Sequence, residues 1–345
     1  MILVASLAVI AGCQSVGPPT IKRDRMHYAS AVSNSWKEQL LLNIVKSRYG
    51  DAPVFLDVTS VVSGYTMESR VSAGAEWQPT NPEDVLSLGV ASTYTDRPTI
   101  SYAPRTGEKF ARSLMSPVPL DEVMFVIAGG VPADFILDLT VYAFEGYHGV
   151  NASGRGFDAA DPQFLRLLEL VEVLVQNRAV ATEVTRHDGR VAAWLNFRSA
   201  EAARAPTQGQ QAELKHLLGI PADLDRVRVV FGTGTADPSV IGLRTRSLMQ
   251  IMGVLGAGVR IQPGHMADGS AIPVTNSHAP GEFTVHSGLQ KPAGAFVAVP
   301  YEGLWFWIDR QDLASKFTLT VVTILFNFLE GGGSKIPAVL SIPTN

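Results

Sequence analysis

The 345-residue sequence predicts an α+β fold of mixed sheets flanked by helices, with one long amphipathic β-hairpin near residues 64–94. Three observations predict it. Residues 64–77 and 86–94 alternate apolar and polar with the period of two that sends successive side chains to opposite faces of a strand. Residues 161–177 instead repeat Phe164, Leu167, Leu168, Val171, Leu174 and Val175 at helical spacing. The last third of the chain mixes both patterns.

The elements follow in order. A helix near 28–48 carries Leu40, Leu41, Ile44 and Val45 as its apolar stripe and stops at Gly50-Asp51. It starts either at Tyr28 or at a capping box formed by Ser35 and Glu38. Val54–Val62 is rich in β-branched residues and reads as a strand. In the hairpin, Tyr65, Met67, Val71, Ala73, Ala75 and Trp77 share one face, and Pro79-Thr80-Asn81-Pro82 marks the turn. A short strand at 98–102 precedes two short helices, Gly107–Met115 and Leu120–Ile127. Phe135–Phe144 reads as a strand, and Gly146–Gly156 as a glycine-rich loop. Val180–Arg186 and Val191–Phe197 form a hairpin across Asp188-Gly189. Gln208–Leu218 is a helix, Arg226–Phe231 a strand and Gly242–Leu255 a helix. Phe283–Ser287, Ala295–Val299 and Leu304–Ile308 are strands, the last two paired across Tyr301-Glu302-Gly303. Asp312–Leu329 is a helix whose apolar run, broken by Thr318, Thr320 and Thr323, suits a buried core rather than a membrane span. The expected organisation is 1–12 as a signal peptide, 13–27 as a lipidated tether, 28–155 as an N-terminal α/β region with the hairpin, and 156–345 as a C-terminal α/β region.

Apolar residues make up 46% of the chain and charged residues only 17%, below the usual value of about 25%. So neutral a surface fits a protein covered by partners or by copies of itself, and fits equally an α/β body with many buried strands. Net charge is −4 and no basic run occurs, which argues against nucleic acid as a partner. The single cysteine rules out an internal disulfide or a cysteine-rich metal site.

That cysteine ends a recognisable pattern. Residues 2–11 are a short apolar run with the length of a signal-peptide hydrophobic region, followed by Ile10-Ala11-Gly12-Cys13. This resembles the lipobox of bacterial lipoproteins. The resemblance implies cleavage before Cys13, a covalent lipid on Cys13 and anchoring by several acyl chains. No Lys or Arg precedes the apolar run, so a basic stretch is expected upstream of Met1. Gln14, where inner-membrane lipoproteins carry Asp, implies the outer membrane. Lys22, Arg23 and Arg25 then fall in the membrane-proximal tether, which Pro18 and Pro19 are expected to hold extended. In the body, Gln39–Val45, Pro98–Tyr102 and Trp305–Asp309 resemble an uncharacterised family of proteobacterial lipoproteins. That resemblance implies location and a shared fold, with no activity to carry over.

Candidate chemistry concentrates in the 263–288 loop. Imidazoles of His265, His278 and His286, with Asp268 and Glu282, are of the type that binds zinc, but spacings of 13 and 8 residues match no compact motif. Gly232-Thr233-Gly234-Thr235 lacks the end of a phosphate loop, and Gly253, Gly256 and Gly258 lie in the reverse of dinucleotide-binding order. Trp305 and Trp307 share one face of a strand and offer a stacking platform for sugar or peptide, while Phe306 takes the other face, and one of the two sides is expected to be core. No catalytic residue and no cofactor besides the lipid is expected. The expected function is a structural, self-assembling ring or filament of the envelope, using Tyr65, Met67, Val71, Ala73 and Trp77 as its assembly surface and other copies or envelope proteins as partners. Two alternatives stay open: a periplasmic ligand-binding protein or metal-dependent enzyme using the 263–288 loop, and a subunit of a composite outer-membrane β-barrel pore.

Overall fold

Residues 17–62, 64–76, 85–153, 156–187, 190–198, 205–232, 237–274 and 279–330 are described by the computed structural model. They form an α+β architecture of mixed sheets flanked by helices. The chain divides into two compact units, the smaller including the chain as far as Ser35 and Phe55–Arg105, the larger comprising Trp36–Val54 and Thr106–Lys335.

Helix α1, Gly17–Arg48, belongs to both. The extended tether is therefore corrected from Gly17 onward. Pro18 and Pro19 sit in the first helical turn, where no intrahelical N–H bond is lost, and no breaker follows before Arg48. Neither Tyr28 nor the Ser35–Glu38 pair starts the helix. At its far end, Leu40, Leu41, Ile44 and Val45 are buried as expected. Buried Asn43 donates to the Val54 carbonyl and accepts from the Val54 N–H, both at 2.9 Å, so one carboxamide replaces a strand partner for that segment.

In the smaller unit, β1 (Leu56–Val62) and β4 (Thr99–Pro104) pair antiparallel, with an irregularity between Val58 and Ser60. Strands β2 (Tyr65–Glu76) and β3 (Val85–Asp96) pair antiparallel in unbroken register, from Tyr65 opposite Asp96 to Glu76 opposite Val85. The expected greasy face of this ribbon rests on the side chains of Tyr65, Met67, Val71 and Ala73 and on Trp77, which lie outside what is described. Among the described residues of this unit, Phe55 alone is buried.

The larger unit holds the core. Helices α2 (Glu108–Met115), α3 (Leu120–Ala128) and α4 (Ala133–Thr140) lead into β5 (Val141–Phe144) and β6 (Tyr147–His148). The strand expected over Phe135–Phe144 is thus a helix followed by a strand. Ile136, Leu137, Leu139 and Thr140 are all buried, so the helix shows no apolar period and reads like a buried strand. Two short strands, β7 (Asn151–Ser153) and β8 (Gly156–Asp158), replace part of the expected loop. Helix α5 (Pro162–Gln176) buries Phe164, Leu167, Leu168, Val171 and Leu174. Burying a residue such as Phe164 contributes roughly 1.5–3 kcal/mol.

Strands β9 (Val180–His187) and β10 (Arg190–Phe197) pair as the expected hairpin, helix α6 (Ala205–Leu217) follows, and β11 (Arg226–Phe231) and β12 (Val240–Thr245) complete a six-stranded sheet. Its order is β6-β5-β12-β11-β10-β9, antiparallel except for the parallel β11–β12 pair. The helix expected over Gly242–Leu255 is corrected. Its first residues form central strand β12, and α7 runs only over Leu248–Leu255. Ser247 and Gln250 make a reciprocal capping box that sets that start.

After the short helix α8 (Pro263–Ala267), β13 (His286–Gly288), β14 (Val297–Tyr301) and β15 (Leu304–Ile308) form a three-stranded sheet with β15 in the centre. Helix α9 (Leu313–Glu330) buries Leu319, Val321, Val322, Leu325 and Phe326. Thr318, Thr320 and Thr323 donate to the carbonyls of Ala314, Lys316 and Leu319, so the hydroxyls are satisfied within the helix. No described helix is long and apolar enough to cross a membrane.

Candidate functional site

The described parts of the 263–288 segment, 263–274 and 279–288, fold within the larger unit, and their two histidines enter separate networks. His265 on α8 meets the end of α1: its Nδ1 lies 2.8 Å from the Tyr49 hydroxyl. The Tyr49 ring stands edge-on to Tyr301 at 5.2 Å and to Phe306 at 6.1 Å. Tyr301 donates to Asp51 at 3.1 Å, and Lys46 pairs with the same carboxylate at 3.1 Å. Burial pushes the Tyr49 phenol up to about 12, with Glu302 and Asp268 adding to the rise and Arg48 opposing it. Tyr301 also rises to about 12, through burial first and its bond to Asp51 second. Lys46 and the Ala52 N–H hold Asp51 below the usual carboxylate range. The Tyr49 hydroxyl and His265 Nδ1 share one hydrogen bond, which joins α8 to the end of α1.

The network gives a pH dependence of defined sign. A phenol whose pKa is higher folded than unfolded contributes stability that is complete below pH 10 and disappears as pH rises toward 12. Unfolding free energy measured by denaturant titration is expected to fall across that window. The fall should be shallower in the Tyr49→Phe, Tyr301→Phe double variant, and an unchanged slope would contradict the assignment.

His286 lies on β13 opposite Trp307 of β15. Its ring stacks on the indole at 5.7 Å with 25° between planes, and its Nε2 is 3.2 Å from Asp309 Oδ2. Trp307 Nε1 donates to the other Asp309 oxygen at 3.0 Å. Trp305, two residues back, carries the Lys291 ammonium 5.1 Å above its ring. Leu304, Phe306 and Ile308 are buried on the opposite side of the strand, and the two tryptophans are half-buried, as their alternation requires. A Cβ on Gly288 would stand 3.3 Å from the Trp307 ring, so the glycine lets the indole approach β13 closely. The result is an aromatic face edged by a carboxylate, an imidazole and an ammonium, groups able to stack on and hydrogen-bond a sugar or peptide.

Among the described residues no group of three or more His, Cys, Asp or Glu is placed to hold a metal ion. His278, the lipobox and Cys13 lie outside the described residues. Asp268 accepts from the N–H and hydroxyl of Ser270 and closes its own turn.

Sequence reasoning missed Arg246, the largest fully buried side chain. Its guanidinium donates to the carbonyls of Asp138 at 2.6 Å, Leu139 at 3.2 Å and Val150 at 2.6 Å. Two of these are orphan carbonyls at the end of α4. Burial lowers its pKa to about 10, which leaves it charged at neutral pH. A Cβ on Gly149 would come within 2.8 Å of this guanidinium, so the loop needs glycine there. No protein family, curated protein or solved structure matches the chain.

Proposed function

We propose that the chain is the precursor of a lipoprotein held on the outer membrane through Cys13, and that it acts by self-assembly rather than by catalysis. The observation that supports assembly is the make-up of the smaller unit. Among the described residues its four strands form two separate two-stranded sheets, so each strand has a paired neighbour along one edge. Among its described residues Phe55 alone is buried, while Leu56, Ile100 and Tyr102 are exposed. A two-stranded ribbon alone in water is marginally stable, and an open edge is a template for another strand. Edges of neighbouring copies would supply both the missing hydrogen bonds and apolar cover. A second reading, ligand binding by the larger unit, is favoured by the Trp305–Trp307 face with His286 and Asp309 at its edge.

The test combines labelling and mass measurement. Labelled palmitate should enter the wild-type chain and not Cys13→Ser. The extracted wild-type protein should scatter light as a multimer. Val71→Asp with Ala73→Asp, midway along β2 opposite Val90 and Leu88, should reduce it to monomer with its circular dichroism unchanged. A wild-type protein monomeric at high concentration would reject assembly, and equal labelling of Cys13→Ser would reject the anchor.

A further inference from the structure

Within the larger unit, the end of α2, the bulge between β5 and β12, the end of β11 and the start of α7 line an open cleft of about 410 Å³. This is in the range of small-molecule sites, roughly 300–1,000 Å³. One side of it is apolar and exposed. Met115, Phe231 and Met249 line it and are 69%, 58% and 47% exposed, an unusual concentration of large apolar side chains facing solvent. Methionine thioethers adapt their shape to a flexible guest at little cost.

Some polar groups on the wall are already bonded. The Thr245 hydroxyl donates to the Val118 carbonyl at 2.6 Å, and in the capping box the Ser247 hydroxyl accepts from the Gln250 N–H while the Gln250 side-chain oxygen accepts from the Ser247 N–H. The Arg244 guanidinium and the Tyr142 hydroxyl make no hydrogen bond or ion pair with any described residue. A wall with three large apolar side chains on one side, and one exposed guanidinium with two further free donors on the other, suits an apolar body ending in a single oxyanion. The planar fork of arginine matches a carboxylate with two parallel hydrogen bonds, and the lone cation matches its single charge.

We propose that this cleft binds a free fatty acid, its carboxylate on Arg244 and Tyr142 and its alkyl chain along Met115, Phe231 and Met249. The site is distinct from the Trp305–Trp307 face, and the proposal does not rest on assembly. Calorimetric titration of the full chain carrying Cys13→Ser with sodium dodecanoate, below its micelle-forming concentration, should give one saturable site. Loss of a charge-assisted bidentate bond should weaken binding about tenfold or more in Arg244→Gln. Arg244→Lys should retain part of the affinity, Tyr142→Phe should lose severalfold, and 1-dodecanol should bind as weakly to wild type as dodecanoate does to Arg244→Gln. Met249→Asp should remove binding while circular dichroism stays unchanged. The proposal is overturned by the absence of a saturable heat, by equal affinity for dodecanol and dodecanoate, or by unaltered binding in a folded Arg244→Gln protein.

Discussion

Arg246→Met is expected to destabilise the larger unit by about 3–5 kcal/mol, the cost of stranding buried polar groups. The substitution keeps most of the side chain's apolar bulk, so the loss reports hydrogen bonding rather than a cavity. The guanidinium serves carbonyls from three residues: Asp138 and Leu139 at the end of α4, and Val150 after β6. Leaving a buried acceptor without a donor costs about 1–3 kcal/mol. The main-chain bonds that join Arg246 to Thr140 and Val118 remain, so the strand is not displaced outright. Arg246→Lys should recover only part of the loss, because one ammonium cannot span both the helix end and Val150. Urea denaturation of the full chain measures the difference, and a loss under about 1 kcal/mol would mean that water replaces the guanidinium.

The second large effect is expected at Gly258. A Cβ there would stand 1.9 Å from the Phe283 carbonyl oxygen and 2.9 Å from its carbon. Both are backbone atoms and cannot swing aside. The approach is fixed by two bonds of 2.9 Å, from the Val285 N–H to the Gly258 carbonyl and from the Arg260 N–H to the Val285 carbonyl. Phe283 and Val285 are themselves buried, so the neighbouring segment has no free direction of retreat. Gly258→Ala should cost about 3 kcal/mol, a fall in Tm of roughly 6–12 °C for a unit of this size. Gly264→Ala is the control. Its Cβ would meet nothing within 4 Å, and in helix α8 alanine is the better helix former. An equal loss in both variants would refute the steric argument.

Gly258 stood in the sequence as one of three glycines near a turn, and spacing alone did not distinguish it from Gly253 or Gly256. What singles it out is a chain segment 25 residues further on. The same limit runs through the fold. The β9–β10 hairpin was legible because one face is buried, at Ala193, Leu195 and Phe197, and the alternation survives. Helix α4 and strand β12 were misread because Ile136, Leu137 and Leu139, and likewise Ile241 and Leu243, lie in surroundings that erase any period. The Ser247–Gln250 capping box was legible in principle, since its spacing and residue types are those of a helix start. Of the candidate site, residue types were readable and partners were not. His265 was a plausible ligand by composition, yet its hydrogen-bond partner Tyr49 is 216 residues away. The pairing of His286 with Trp307 depends on β13 joining the edge of the β14–β15 hairpin, which no local pattern encodes.

Arg246 also imposes an order on the folding of the chain. Its three acceptors lie 96 to 108 residues earlier, and the Thr245 hydroxyl reaches back 127 residues to Val118. Helices α2 to α5 and strands β5 and β6 therefore emerge with the carbonyls of Asp138, Leu139 and Val150 still open to water. Closing loops of that length comes before any reward from the contacts they allow, which slows a domain rich in such pairings. Until β12 inserts between β5 and β11, the early half of the larger unit has its helices and hairpins but lacks the central strand that joins them. In that interval the edges of β5 and β11 that β12 comes to cover are open.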